Sequence, residues 1–139
     1  MFGNDRNQLR QMYKDAWQKL QQQQILTALE IQITDVIKEH PEYHDFINQL
    51  DKDFLPETGQ TNPFLHMGLH LGLREQLATN RPAGITDIYN QLLNKKGSSH
   101  DVEHSMIECL AEAMWSAQTN NTPPDESRYL QSLKKLLNV

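Results

Sequence analysis

The sequence predicts an all-α protein, a single-domain bundle of about five or six helices spanning residues 1–139. Three observations carry this. Apolar residues recur at three- and four-residue spacing through most of the chain. Segments open on capping residues and close at glycine or proline. No stretch alternates with a period of two and β-branched enrichment, as a half-buried strand would.

The first helix opens near Asp5 with Gln8, a capping-type pair, and carries Leu9, Met12, Tyr13, Ala16, Trp17 and Leu20 on one stripe. Gln21 to Gln24 has no apolar stripe and reads as its fraying end. Thr27 and Glu30 form a T-x-x-E capping box ahead of Leu29, Ile33, Val36 and Ile37. Pro41 disfavours helical dihedrals at His40, so the second helix ends or kinks there, and a short helical piece through Tyr43 to Leu50 follows. Residues 51–61 form a connection. Asn62 and Pro63 then supply an N-cap and a first-turn proline for a third helix running to about Ala78. Gly68 and Gly72 cost that helix propensity, and close approach of a neighbouring helix would explain them. Ile85, Ile88, Tyr89, Leu92 and Leu93 mark a fourth helix, closed at Lys95, Lys96 and Gly97. Ser98 and Asp101 open a fifth that continues to about Gln118, and Thr122-Pro123-Pro124-Asp125 precedes a last helix with Tyr129, Leu130, Leu133, Leu136 and Leu137.

Composition excludes several function classes. A formal charge of −5 and a pI near 5.6 argue against a nucleic-acid surface. No apolar run approaches a membrane span, and the N-terminus lacks the basic and apolar regions of a signal peptide. Cys109 is the only cysteine, so no intrachain disulfide can form. A cytoplasmic location is expected, with self-association left open. There is no glycine-rich phosphate loop, hence no nucleotide cofactor, and no nucleophile motif. Trp17 and Trp115 sit at helical spacing and are expected to pack.

The chemistry-bearing signal is the histidines. All six fall into pairs four residues apart: His40/His44, His66/His70 and His100/His104. Random scatter of six histidines over 139 positions would give roughly 0.2 such pairs. Two histidines one helical turn apart can grip one ion. On the third helix, His66 and His70 share a stripe with Leu69, Leu73 and Leu77, while Phe64, Met67 and Leu71 cover the other side, so this helix is expected to be central. On the fifth, His100 and His104 edge the face formed by Ile107, Leu110, Ala111, Met114 and Trp115, and Glu108 lies one turn beyond His104. An H-x-x-x-H helix facing an H-x-x-x-E helix is a common way to build a bundle metal site. His66, His70, His104 and Glu108 are therefore the first candidate ligands, and zinc, iron or manganese would suit them. His100 ranks below them. His40 and His44 rank lower still, because Pro41 interrupts their geometry and a capping or packing role accounts for them. Glu30 could also reach a bundle metal, although its capping box already explains it. Core histidines bonded to carboxylates or backbone carbonyls are the competing account.

The stretch NPFLHMGLHLGLREQLATNRPAGI, with HPEYH before it and ECLAEAMWSAQ and PPDESRYL after it, resembles the bacterial domain-of-unknown-function family numbered 1841. The resemblance covers nearly the whole chain. It implies a small stand-alone bacterial protein whose pattern includes His40, His44, His66, His70, His104 and Glu108, and it brings no reaction with it. In architecture alone, paired histidines on bundle helices are also similar to hemerythrin-like and DinB-like metal bundles.

Three functions fit these observations. The first is a helical metalloprotein. The second is a metal-free binding or assembly module whose histidines are core or pH-sensitive contacts. The third is a metal-dependent hydrolase or oxidase, needing a solvent-reaching cleft and an acid or base such as Glu75 or Glu112. Nothing in the sequence names a reaction.

Overall fold

The computed structural model describes residues 2–48 and 63–138. Among them are six α-helices, one 3-10 helix and no strand: α1 (Phe2–Gln21), α2 (Ala28–Lys38), the 3-10 helix (Pro41–Asn48), α3 (Pro63–Thr79), α4 (Ile85–Lys96), α5 (Ser99–Asn120) and α6 (Glu126–Leu136). The all-α expectation holds. The connection 51–61, the N-cap at Asn62 and the last residues of the short helical piece lie outside the described residues. The chain divides into two compact units, Met1–Leu71 and Gly72–Val139. No helix among the described residues is long and apolar enough to cross a membrane.

In the first unit, α1 packs on α2, and the 3-10 helix packs on both. α1 is already helical at Phe2, so Asp5 lies inside the helix and is not its cap. At the other end Gln23 adopts a left-handed φ of 58°. Its N–H reaches the Leu20 carbonyl and that of Gln24 reaches Lys19, which closes the last carbonyls in the manner usually assigned to glycine. The capping box forms in full: the Thr27 hydroxyl accepts from the Glu30 N–H at 3.2 Å, and the Glu30 carboxylate accepts from the Thr27 N–H at 2.9 Å. Tyr13, Ala16, Ile33, Val36, Ile37, Ile47, Phe64 and Met67 make the core, with Trp17, Tyr43 and Leu71 packed against it. Tyr13 meets the Phe64 ring edge-on, and the Arg10 guanidinium lies 4.8 Å from that ring's centre. Leu9, Met12 and Leu29 belong to the expected stripes yet are exposed, so only part of each apolar face is covered.

In the second unit α4, α5 and α6 contact one another pairwise. Leu73 of α3, Ile85, Ile88 and Leu92 of α4, Val102, Met106, Ile107 and Leu110 of α5, and Tyr129 and Leu133 of α6 are buried. Leu69 and Leu77, also expected in the core, are half-buried. The turn after α3 is tied by Asn80, whose side-chain oxygen accepts from the N–H groups of Gly84 and Thr86. Ser98 caps α5 through the Asp101 N–H, and Asp125 caps α6 through that of Arg128. Gly97 closes α4 with φ 76°. Trp115 corrects the sequence expectation: it is 66% exposed. Nine residues after buried Met106, it projects from about the opposite side of the helix.

The α3 glycines also differ from expectation. A Cβ on Gly68 would sit 3.8 Å from the Tyr13 hydroxyl, an ordinary contact, and one on Gly72 would meet nothing within 4 Å among the described residues. Close helix approach therefore does not require either glycine.

Candidate metal centre

Pro41 organises the first part of the site. It has no N–H and cannot extend α2, so carbonyls of the helix's last turn lack intrahelical donors. The His40 Nδ1–H donates to the Val36 carbonyl at 2.8 Å, and the His44 Nε2–H donates to the Ile37 carbonyl at 2.9 Å. The expected interruption of the His40/His44 pair is observed, and both rings cap α2. They then diverge. His44 lies against Trp17, with ring centres 4.7 Å apart, whereas His40 is fully buried and turned toward α3.

A carbonyl can only accept, so the Nδ1 of His40 carries a proton, and the tautomer with this proton alone has its lone pair on Nε2. Metal-bound histidines commonly hold this arrangement, one nitrogen donating to a carbonyl and the other facing the ion.

His66 and His70 project from successive turns of α3 and meet His40. The three ring centres are 5.0 Å (His40–His66), 4.7 Å (His40–His70) and 4.8 Å (His66–His70) apart, with planes inclined by 61–78°. Each of the three residues offers a ring nitrogen, all lying within 4.8 Å of one another. The Nε2 atoms of His66 and His70 are 3.2 Å apart. Two nitrogens bound at about 2.0–2.1 Å to one tetrahedral ion stand about 3.3 Å apart, so this separation suits a shared ion. It also suits an N–H···N hydrogen bond when no ion is present.

Tyr43 completes the cluster. Its ring lies nearly parallel to that of His40, 5.3 Å away, and edge-on to that of His66 at 5.9 Å. Burial, followed by the charge of Glu42, raises its phenol pKa. The sequence reading passed over Tyr43, although its place between the histidines of H-P-E-Y-H was a usable signal.

The remaining candidates sit as follows. Glu30 is engaged in its capping box and in an ion pair with Lys19 at 2.8 Å; Lys19 foremost, then the Thr27 N–H, holds its carboxyl below the usual range. In the second unit the rings of His100 and His104 are tilted against each other with centres 4.1 Å apart, and both residues are half-buried. Glu108 is exposed, as are Glu75 and Glu112. The carboxylate that α5 does bury is Glu103, gripped by Arg74 through Nε at 3.1 Å and a second nitrogen at 3.4 Å. Burial, then Glu112 and Glu108, raises the Cys109 thiol pKa, which disfavours the thiolate.

The family described as a domain of unknown function, DUF1841, matches residues 5–135. The chain belongs to that family. This agrees with the resemblance read from the sequence and adds no activity to it. No curated protein and no solved structure matched the chain.

Proposed function

We propose that this protein binds one divalent transition-metal ion, with His40, His66 and His70 as the central ligands. The observation that carries the reading is the convergence of three imidazoles from two separate elements, one of them held by a carbonyl in the tautomer that leaves Nε2 for an ion. Three neutral imidazoles suit a first-row ion such as zinc or iron; manganese remains within the range that the sequence suggested.

The spacing pattern supports His104 as a further ligand. It supports Glu108 less, because that side chain is exposed. A fourth protein ligand would close the coordination sphere and make the metal a stabilising one, whereas an open position would carry a water able to act as a nucleophile. The stabilising role is preferred. The surface hollow along α1 and α2, lined by residues such as Met12, Leu29 and Ile33, and the one at Met114, Ala117 and Pro123 contain no histidine. The exposed Glu75 and Glu112 have no assigned part in acid–base chemistry.

Elemental analysis of untagged protein, as purified and after stripping and reloading, tests the reading. About one ion per chain is expected, falling to background in a His66→Ala, His70→Ala double variant that still shows helical circular dichroism. Equal metal content in that variant would overturn the reading and leave the histidines as core residues joined by hydrogen bonds.

A further inference from the structure

Trp115 stands apart from the histidines and from the core of the second unit. It is 66% exposed, and its neighbour Met114 is 39% exposed. A tryptophan left in water forgoes a large burial term, and tryptophan is among the residues most enriched at the energetic centre of protein interfaces. The surface beside it is concave. A hollow of about 450 Å³ lies between the end of α5 and the turn into α6, with Met114, Ala117, Pro123 and Pro124 as its apolar wall. Gln118 also lines it and follows Trp115 by one helical turn, which puts the indole at the rim. The two prolines have fixed φ, so their part of the wall loses little freedom when it is covered.

The surround is acidic. α5 contains Asp101, Glu103, Glu108 and Glu112 and neither lysine nor arginine. Glu103 is held by Arg74. Glu108 and Glu112 are exposed and precede Trp115 by seven and three residues, which places the two carboxylates and the indole on one side of the helix. Asp125 and Glu126, also exposed, follow the prolines directly in the chain. An aromatic face flanked by carboxylates attracts a cation twice, through the ring quadrupole and through charge.

We infer that this face docks a cationic amphipathic helix of a partner protein. An aliphatic side chain of that helix enters the hollow beside Met114, a lysine or arginine stacks on Trp115, and further basic residues face Glu108 and Glu112. A helix presents such anchors at three- and four-residue spacing on one side. Charge complementarity selects this occupant over a second copy of the chain, which carries a formal charge of −5 and would bring like charge to an acidic face. The inference does not depend on the metal reading.

Fluorescence anisotropy of a labelled peptide of about 14 residues, with leucine and lysine placed for an amphipathic helix, tests this when the full chain is titrated in. Two control peptides accompany it: the same pattern with glutamate in place of lysine, and the same composition with the leucine stripe scrambled. The patterned cationic peptide should bind about tenfold or more tightly than either control. Trp115→Ala should weaken it about tenfold or more, and Glu108→Gln with Glu112→Gln should weaken it at low salt and flatten its salt dependence. All three positions are exposed, so the variants should keep the wild-type circular dichroism. Equal binding by Trp115→Ala, equal binding of the scrambled peptide, or no binding at all would overturn the inference. Self-association of the wild-type chain in sedimentation, abolished by Trp115→Ala, would also overturn it by placing a second copy on this face.

Discussion

Replacing His40 separates the capping bond that the structure shows from the metal ligation proposed for it, because the first operates without metal and the second does not. His40→Ala removes the 2.8 Å bond to the Val36 carbonyl and a ring that is 1% exposed and stacked on Tyr43. The bond contributes about 1 kcal/mol, and the cavity left by a buried ring adds about 2–3 kcal/mol. The metal-free protein should therefore lose about 3–4 kcal/mol. With free zinc at a hundred times its dissociation constant, the wild type gains about 2.7 kcal/mol that the variant forgoes, so the deficit widens to about 6 kcal/mol. His44→Ala is the matched control: it also loses a capping bond, to the Ile37 carbonyl at 2.9 Å, but its ring faces Trp17. It should cost about 1–2 kcal/mol with or without zinc. Urea unfolding followed by circular dichroism, on chelator-treated and zinc-loaded samples, reads all four differences. Retention of the full zinc increment in His40→Ala would refute ligation by His40 and leave it a capping residue. Loss of the increment in His44→Ala would refute the division of labour between the two rings.

Other perturbations test the frame around the site. Arg74→Ala should cost about 3–5 kcal/mol by leaving the buried Glu103 carboxylate without its guanidinium, and Arg74→Met with Glu103→Leu should recover most of it; an unrecovered loss in thermal melts would show that the two do not act as a pair. Burial pushes the Tyr13 phenol from 10.0 up to about 12, so the unfolded chain releases this proton first as the pH rises. Stability should then fall by roughly 1.4 kcal/mol per pH unit from about pH 10 to about pH 12, and Tyr13→Phe should remove that slope in alkaline unfolding curves. Gln23→Gly at φ 58° should raise stability by about 1 kcal/mol by relieving a left-handed conformation. Gly72→Ala, where a Cβ meets nothing among the described residues, should raise it by a similar amount, about 1 kcal/mol, through helix propensity. A decrease in melting temperature for either variant would count against the corresponding local argument.

Much of the fold was legible because its signals are local. The Thr27 capping box, the Ser98 and Asp125 caps and the Gly97 closure each depend on hydrogen bonds spanning three or four residues, so residue types at fixed offsets determine them. The covered side of each helix was less legible. A stripe such as Leu9, Met12, Tyr13 and Ala16 shows that an apolar face exists, but tertiary partners decide that Tyr13 and Ala16 are buried while Leu9 and Met12 stay exposed. Trp115 misled for the same reason: hydrophobicity suggested a core position, and the buried side of α5 follows Val102, Met106 and Leu110 instead.

The site divides along the same line. His66 and His70 could be paired from the sequence because one helix fixes both, and four residues return the chain to the same face. His40 could not be placed in that way, since its position depends on how α2 stops. Pro41 was grounds for discounting His40, because it breaks the helical spacing to His44. In the structure this break is the useful event. Ending α2 leaves carbonyls in need of donors; the Val36 carbonyl accepts from the Nδ1–H of His40, and the bond orients the ring with Nε2 on its far side. Helical spacing alone would have set His40 and His44 side by side on one helix. The interrupted helix instead sends His44 to Trp17 and His40 to His66 and His70, so a candidate ranked low for breaking the pattern brings the third imidazole to the cluster.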